Sequence, residues 1–437
     1  MVAAPDPAGG QEPAGTTLRR LWECPDCGLR QVVPALRPGT AAHCLRCNRL
    51  LRRARHEPLG RALALNLAAL VLIGVACLMP LMTVSAGGMD LSANLFSGPK
   101  NLRSDGLWEL SAVVLFTSVA APVVKVLAMT YVLGGLQSRR PWRHLRQVFA
   151  WIEWLRPWSM VEVYLLGVFV AYVKLIDLVH IELGPAIYAL GALMLTMVAA
   201  DAVLDRQAVW EALDRQEADP ARASWESPGL MPEPMVGAIA CEVCGLLGQP
   251  DPDWPAHCLR CGARLHHRKP NSMARAWALM IAAVIFYGPA NFYPVLTVIQ
   301  LGSGAPSTIM GGVVELLASG MLPLAALVFC ASVVIPVLKL IALGAMLVAT
   351  RLGSARWLRD RTRAYRIVAA IGRWSMIDVF MASILVALVH FGGLVNIRSG
   401  FGAVAFASVV ILTMLAAEAF DPRLMWDAAG AQEEAMA

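Results

Sequence analysis

The sequence predicts an all-α polytopic membrane protein, duplicated within one chain. Each copy is expected to be a small cytosolic, β-rich zinc ribbon followed by about four transmembrane helices, giving about eight helices in all. Three observations carry this prediction. Of the 437 residues, 57% are hydrophobic and only 16% charged, too little polar surface for a soluble chain of this length. The apolar residues gather in runs of about 20, the length that crosses the hydrocarbon core. Eight of the ten cysteines fall in four CxxC pairs, and the pairs repeat along the chain.

The duplication extends through the whole unit. Cys24-Pro-Asp-Cys27-Gly answers to Cys241-Glu-Val-Cys244-Gly, and His43-Cys44-Leu-Arg-Cys47 recurs 214 residues later as His257-Cys258-Leu-Arg-Cys261. At the same offset Pro80 meets Pro294, Gly106 meets Gly320, Pro122 meets Pro336 and Lys125 meets Lys339. After a two-residue slip, Trp158-Ser-Met-Val-Glu162-Val matches Trp374-Ser-Met-Ile-Asp378-Val, Lys174 falls opposite His390, and Trp210 opposite Trp426. Self-similarity at one period over a whole unit marks a repeat architecture.

The apolar segments are expected at 59–84, 108–135, 159–179 and 185–204 in the first unit. In the second they are expected at 275–300, 321–349, 375–392 and 401–419. The polar, Pro/Gly-rich residues before them carry no cleavable signal, so Leu59–Val84 is expected to act as an uncleaved anchor. Arginine placement then sets the orientation. The loop at 136–157 carries Arg139, Arg140, Arg143, Arg146 and Arg156, and its counterpart at 351–373 carries seven arginines. By contrast the loop at 301–320 has no Lys or Arg. By the positive-inside rule both ribbons, both termini and the arginine-rich loops face the cytosol. An even helix count per unit makes the two copies parallel, related by an axis along the membrane normal. The expected organisation is a disordered N-terminal tail at 1–20, ribbon 1 at 21–55, a membrane domain at 59–204 and a polar, proline-broken linker at 205–237. Ribbon 2 follows at 238–268, then a second membrane domain at 274–420 and a loose Ala-rich, acidic tail at 421–437. The net charge of +6 reflects arginines beside the membrane segments, so no nucleic-acid partner is expected.

Four thiolates from two CxxC knuckles suit tetrahedral zinc, and a ribbon of about 30 residues is too small to hold a core without metal. Cys24, Cys27, Cys44 and Cys47 are expected to bind one zinc ion, and Cys241, Cys244, Cys258 and Cys261 a second. The residue after each knuckle is Gly28, Asn48, Gly245 or Gly262, all tolerant of the positive φ that curls a knuckle. Four thiolates close the site, which points to a structural staple; redox sensing and partner docking are the sharper alternatives. Cys77 and Cys330 lie within apolar runs and read as small packing residues.

Charges inside the membrane are candidate functional groups, because burying them in hydrocarbon is costly. Lys125 and Lys339 lie mid-helix, three residues after Pro122 and Pro336, where proline removes a backbone hydrogen bond and bends the helix. Glu162 and Asp378 begin the third helices. Lys174, Asp177 and His390 lie toward the far ends of those helices. These seven residues are the candidate transport pathway. Internal salt bridges, Lys125 with Glu162 and Lys339 with Asp378, are the structural alternative, and Asn66 and Asn291 are weaker candidates.

The doubled CxxCG…HCLRC pattern, the Pro-x-x-Lys and the Trp-Ser-Met-[Val/Ile]-[Glu/Asp]-Val motif together resemble the paraquat-inducible protein A family, which includes the LetA-type subunits. The resemblance runs from about Trp22 to Trp426. It implies an integral partner of periplasmic MCE-domain proteins that handles membrane phospholipid between the two membranes, with no enzymatic site. No GxxxxGK[ST] nucleotide loop is present. A membrane-anchored metal or redox stress sensor is the alternative function.

Overall fold

The computed structural model describes residues 20–34, 36–86, 89–138, 142–175, 180–216, 238–248, 257–300, 303–388, 390–391 and 395–436. Of the pathway candidates, Asp177 lies outside the described residues. So do the side chains of Lys174 and His390.

The first ribbon is a pair of antiparallel hairpins, β1 (Arg20–Glu23) with β2 (Arg30–Val33) and β3 (Ala41–His43) with β4 (Leu50–Arg53). The first unit then runs α1 (Pro58–Leu78), β5 (Met82–Ala86), β6 (Met89–Ala93), α2 (Ser97–Ser104), α3 (Trp108–Leu115), α4 (Ala121–Gln137), α5 (Leu145–Leu155) and α6 (Val161–Leu175). It ends with β7 (His180–Leu183), α7 (Pro185–Val203) and α8 (Arg206–Gln216). The second ribbon pairs β8 (Ile239–Ala240) with β9 (Leu247–Gly248).

The second unit repeats the order: α9 (Ser272–Phe292), β10 (Leu296–Gln300), β11 (Ser303–Ser307), α10 (Ile309–Ala318), α11 (Leu322–Phe329), α12 (Ile335–Arg351) and α13 (Leu358–Ile371). Then come α14 (Ile377–Leu388), β12 (His390–Phe391), β13 (Val395–Ser399), α15 (Phe401–Ala419) and α16 (Arg423–Met436).

Seven helical stretches among the described residues are long and apolar enough to cross a membrane. The eighth expected span is α6, whose 15 described residues stop just before the undescribed 176–179. The spans are shorter than expected where apolar sequence continues into a strand. The run at 59–84 ends its helix at Leu78 and becomes β5, and the run at 275–300 ends at Phe292 and becomes β10. Each unit thus carries a small antiparallel sheet on the side of the bundle away from the ribbons, ordered β6-β5-β7 in the first unit and β11-β10-β13-β12 in the second. Gly184 and Gly400 seat α7 and α15 under the two sheets. A Cβ at either would collide with the carbonyl of Pro80 or Pro294, so only glycine allows this approach.

Three further expectations are corrected. The arginine-rich stretches are not loops but contain amphipathic helices, α5 and α13. The stretch read as linker begins with α8, and the stretch read as a loose tail forms α16. Both helices place apolar residues at helical spacing, and Val209, Trp210 and Leu213, like Met425 and Trp426, are buried.

The units meet through α6 and α14. Every described residue of α14 is buried, so protein encloses this part of the Leu358–Leu388 stretch. Gly167 of α6 permits the contact, since a Cβ there would lie 2.8 Å from the Phe380 Cβ. Tyr164 stacks edge-on against Phe380 with ring centroids 5.5 Å apart.

Candidate functional site

Two four-cysteine clusters lie on the ribbon side. Each knuckle closes on a residue with positive φ: Gly28 (70°), Asn48 (57°), Gly245 (72°) and Gly262 (72°). In each, that residue's N–H donates to the carbonyl of the first cysteine, at 2.8 to 2.9 Å. The knuckles bring Cys24 and Cys47 Sγ to 3.5 Å, Cys27 and Cys44 to 3.5 Å, Cys241 and Cys261 to 3.5 Å, and Cys244 and Cys258 to 3.4 Å. Within each cluster all four sulfurs lie within 4.8 Å of one another and every cysteine is buried. Tetrahedral metal–thiolate bonds of about 2.3 Å separate the sulfurs by about 3.8 Å, so both clusters fit a metal ion with no coordination position left open.

Inside the membrane segments the two lysines have different partners. Lys125 Nζ donates to Asp201 Oδ2 on α7 at 2.9 Å. Lys339, only 3% exposed, donates instead to the Thr413 hydroxyl on α15 at 2.8 Å. At the repeat positions, Asp201 is replaced by Ala417 and Met197 by Thr413, so the lysine's acceptor has moved by one helical turn and lost its charge. Asp378 is buried at the start of α14 and accepts a hydrogen bond from Ser332. Glu162, its counterpart, is half-buried in the first turn of α6. Asn66 and Asn291 donate back to their own helices, to Ala62 and Tyr287 carbonyls, as polar residues in apolar helices do.

Ser332 owes its position to a π-helical turn. Residues Cys330–Val334 form one turn of π-helix between α11 and α12, and Phe116–Ala120 form its repeat equivalent between α3 and α4. The Ile335 and Ala121 N–H groups reach back five residues, to Cys330 and Phe116. The wider turn comes just before Pro336 and Pro122, which lack the N–H an α-helix needs there. The sequence predicts a bend here but does not single out Ser332, Thr413 or Asp201, the last of which falls within the apolar segment 185–204. Cys330, at the start of the π turn, is exposed rather than packed.

A cavity of about 50 Å³ opens beside this turn, lined by Leu296, Val328, Ser332, Asp378, Val379 and Phe406 among others. A smaller cavity of about 10 Å³ lies beside the first unit's π turn, lined by Ile73, Ser118, Pro122 and Leu190 among others. On the ribbon side of the first unit, Glu153 pairs with Arg206 at 2.7 Å. Burial pushes its carboxyl up to about 7 against the pull of Arg156.

The paraquat-inducible protein A profile matches the chain twice, over residues 59–214 and 273–430. The chain belongs to that family. Full-length similarity extends to two Escherichia coli K12 proteins. One is the lipophilic envelope-spanning tunnel protein A, 30% identical over 93% of this chain and 91% of its own length. The other is the intermembrane transport protein PqiA, 33% identical over 92% and 95%. A probable intermembrane transport protein of Haemophilus influenzae is 25% identical over 93% of this chain and 96% of its own length. No solved structure matches the chain. Each stretch matched by the paraquat-inducible protein A profile reaches past the last membrane helix into α8 or α16, so these helices belong to the family's repeated unit.

Proposed function

We propose that this multi-pass membrane protein is the inner-membrane subunit of an MCE-type lipid-transport system, handling phospholipid or a similar amphiphile between the inner membrane and a periplasmic MCE-domain partner. The observation that carries the reading is the buried carboxylate of Asp378, hydrogen-bonded to Ser332 beside a cavity, with the buried Lys339–Thr413 pair in the same unit. It is supported by full-length similarity to proteins named for intermembrane transport. A volume of about 50 Å³ suits roughly four waters rather than a lipid. The second unit's Ser332, Lys339 and Asp378 therefore act as a hydrated station that moves protons or meets a head group, and the lipid itself travels along the unit's apolar exterior or through a wider state. With no nucleotide loop in the chain, proton movement or a separate protein supplies the energy. The chain has no catalytic role in this reading.

The eight ribbon cysteines hold two zinc ions, and the ribbons and termini face the cytosol, leaving the two sheets toward the partner. The test is transfer of radiolabelled phospholipid from liposomes carrying the chain to a purified MCE-domain protein. Transfer that Asp378→Asn abolishes is expected. Failure of the chain to bind the MCE protein or to load it with lipid would refute the proposal.

A further inference from the structure

The ribbons are seated crosswise. Ribbon 1 is tethered to the first unit by the few residues between Arg53 and Pro58, yet its cysteines pack with Met280, Leu347, Phe420 and Trp426 of the second unit. Ribbon 2 leads into α9 of the second unit, yet its cysteines pack with Met129, Phe149 and Trp210 of the first.

The side chains that make these seats come from inside the knuckles. Asp26, between Cys24 and Cys27, pairs with Arg366 of α13 at 2.6 Å. The same guanidinium donates to the Cys47 carbonyl at 3.1 Å and to its sulfur at 3.2 Å. Arg46, between Cys44 and Cys47, lies over the Trp426 ring of α16 at 4.3 Å. The arrangement repeats on the other side. Arg260, between Cys258 and Cys261, lies over the Trp210 ring of α8 at 5.8 Å and pairs with Asp214, while its carbonyl accepts from Arg146 of α5. Both arginines are the same residue of the HCLRC motif, and both tryptophans are the same residue of the repeated unit. Contacts within a unit also exist, through Arg52 with Asp205 and Glu211, Glu242 with Arg423, and Arg268 with Asp427. Of these ribbon residues only Glu242 comes from within a knuckle.

We infer that the ribbons are reciprocal straps, each metal site fastening the ribbon tethered to one unit onto the end helices of the other. A knuckle holds its shape only when its thiolates share a metal, because so small a ribbon draws its folding energy from the metal. Asp26, Arg46 and Arg260 therefore point at their seats only in the metal-bound form. The first strap reaches a pathway helix of the second unit. It grips α13, which runs through the turn Gly372–Met376 directly into α14 and Asp378. Site 1 thus holds the pathway helix of the second unit from a tether on the first.

Amide hydrogen exchange on the full-length protein in detergent tests it. The double variant Asp26→Asn/Arg46→Ala keeps all eight thiols and its zinc content, so its fold and metal sites persist. Exchange should quicken about tenfold or more in 358–371 and 423–436, and stay unchanged in 145–155 and 206–216. The converse variant, Arg260→Ala, should quicken 145–155 and 206–216 alone. Stripping the metal with a chelator should produce both patterns, and restoring zinc alone should reverse them. Quickening of the first unit's helices in the Asp26/Arg46 variant, quickening spread evenly over both units, or no change at all would overturn the strap.

Discussion

Replacing Lys339 with Met separates a working group from a scaffold more sharply than alanine does. Lys339 is 3% exposed, and its ammonium meets the neutral Thr413 hydroxyl at 2.8 Å. A buried cation held this way recovers little of its desolvation cost. Swapping a buried charge for an apolar side chain of similar volume is often neutral or stabilising by about 1–4 kcal/mol. Lys339→Met should therefore accumulate normally and resist heat as well as the parent or better, while losing phospholipid transfer. Lys125→Met should behave differently. Its partner Asp201 has a side chain 34% exposed, so water solvates the orphaned carboxylate and the loss is limited to about 1 kcal/mol, with transfer retained. The assay pairs thermal aggregation of the purified variants with lipid transfer and with dye exclusion by the outer membrane of cells that depend on the chain. A Lys339→Met protein that is unstable, or one that is stable and fully active, would refute the reasoning. The first outcome would make the lysine scaffolding, the second a bystander.

Other expectations follow from the ribbons, the topology and Glu153. Elemental analysis of protein never exposed to chelator should find two zinc ions per chain, and Cys24→Ser should leave about one with a lower folded yield. A cysteine introduced at Ser303 should react with a membrane-impermeant reagent from the periplasm, and one at Ser354 should not; the reverse pattern would invert the proposed orientation. Folded Glu153 keeps its proton up to about 7, against an ordinary 4.5. A raised acid stabilises the fold fully below the lower value and loses that contribution as pH rises through the upper one. Glu153→Gln should therefore match the parent in thermal stability at pH 4 and exceed it at pH 8. Equal stability at both would show that the carboxyl is solvated.

Cysteine spacing, the doubled motifs and the lengths of most apolar runs were legible because each is local. A CxxC knuckle is built from adjacent residues, and a span is a single helix whose length is counted along the chain. The sheets were not legible. Met82–Ala86 and Leu296–Gln300 continue an apolar run without a break, and short apolar stretches do not separate strand from helix by composition. The helices α8 and α16 were hidden by their polar and Ala-rich composition, although matched tryptophans at 210 and 426 marked them. The lysine partners were missed for a different reason. Asp201 and Thr413 lie about 75 residues along the chain from the groups they bind, and only tertiary packing, of α4 and α7 on α1 and of α12 on α15, brings them together.

The repeat sharpens this point, because one pattern has produced two electrostatic outcomes. Both units keep the π turn, the proline after it, the serine within it and the lysine beyond it. Around those shared parts the first unit gives its lysine a carboxylate at the ribbon end, next to Glu153. The second unit gives its lysine a hydroxyl and puts its carboxylate, Asp378, on a helix buried along its whole length, with about 50 Å³ beside it. A pair neutralised at the membrane edge stabilises a bundle, whereas an uncompensated cation at depth is retained against its own cost. Under the proposed function the second unit carries the chemistry. The first holds α14 in place from inside the membrane through α6, and through its tethered ribbon holds α13 from outside it. A duplicated chain can divide labour in this way because one copy keeps the shape while substitutions as small as Met197 against Thr413, and Asp201 against Ala417, retune the other.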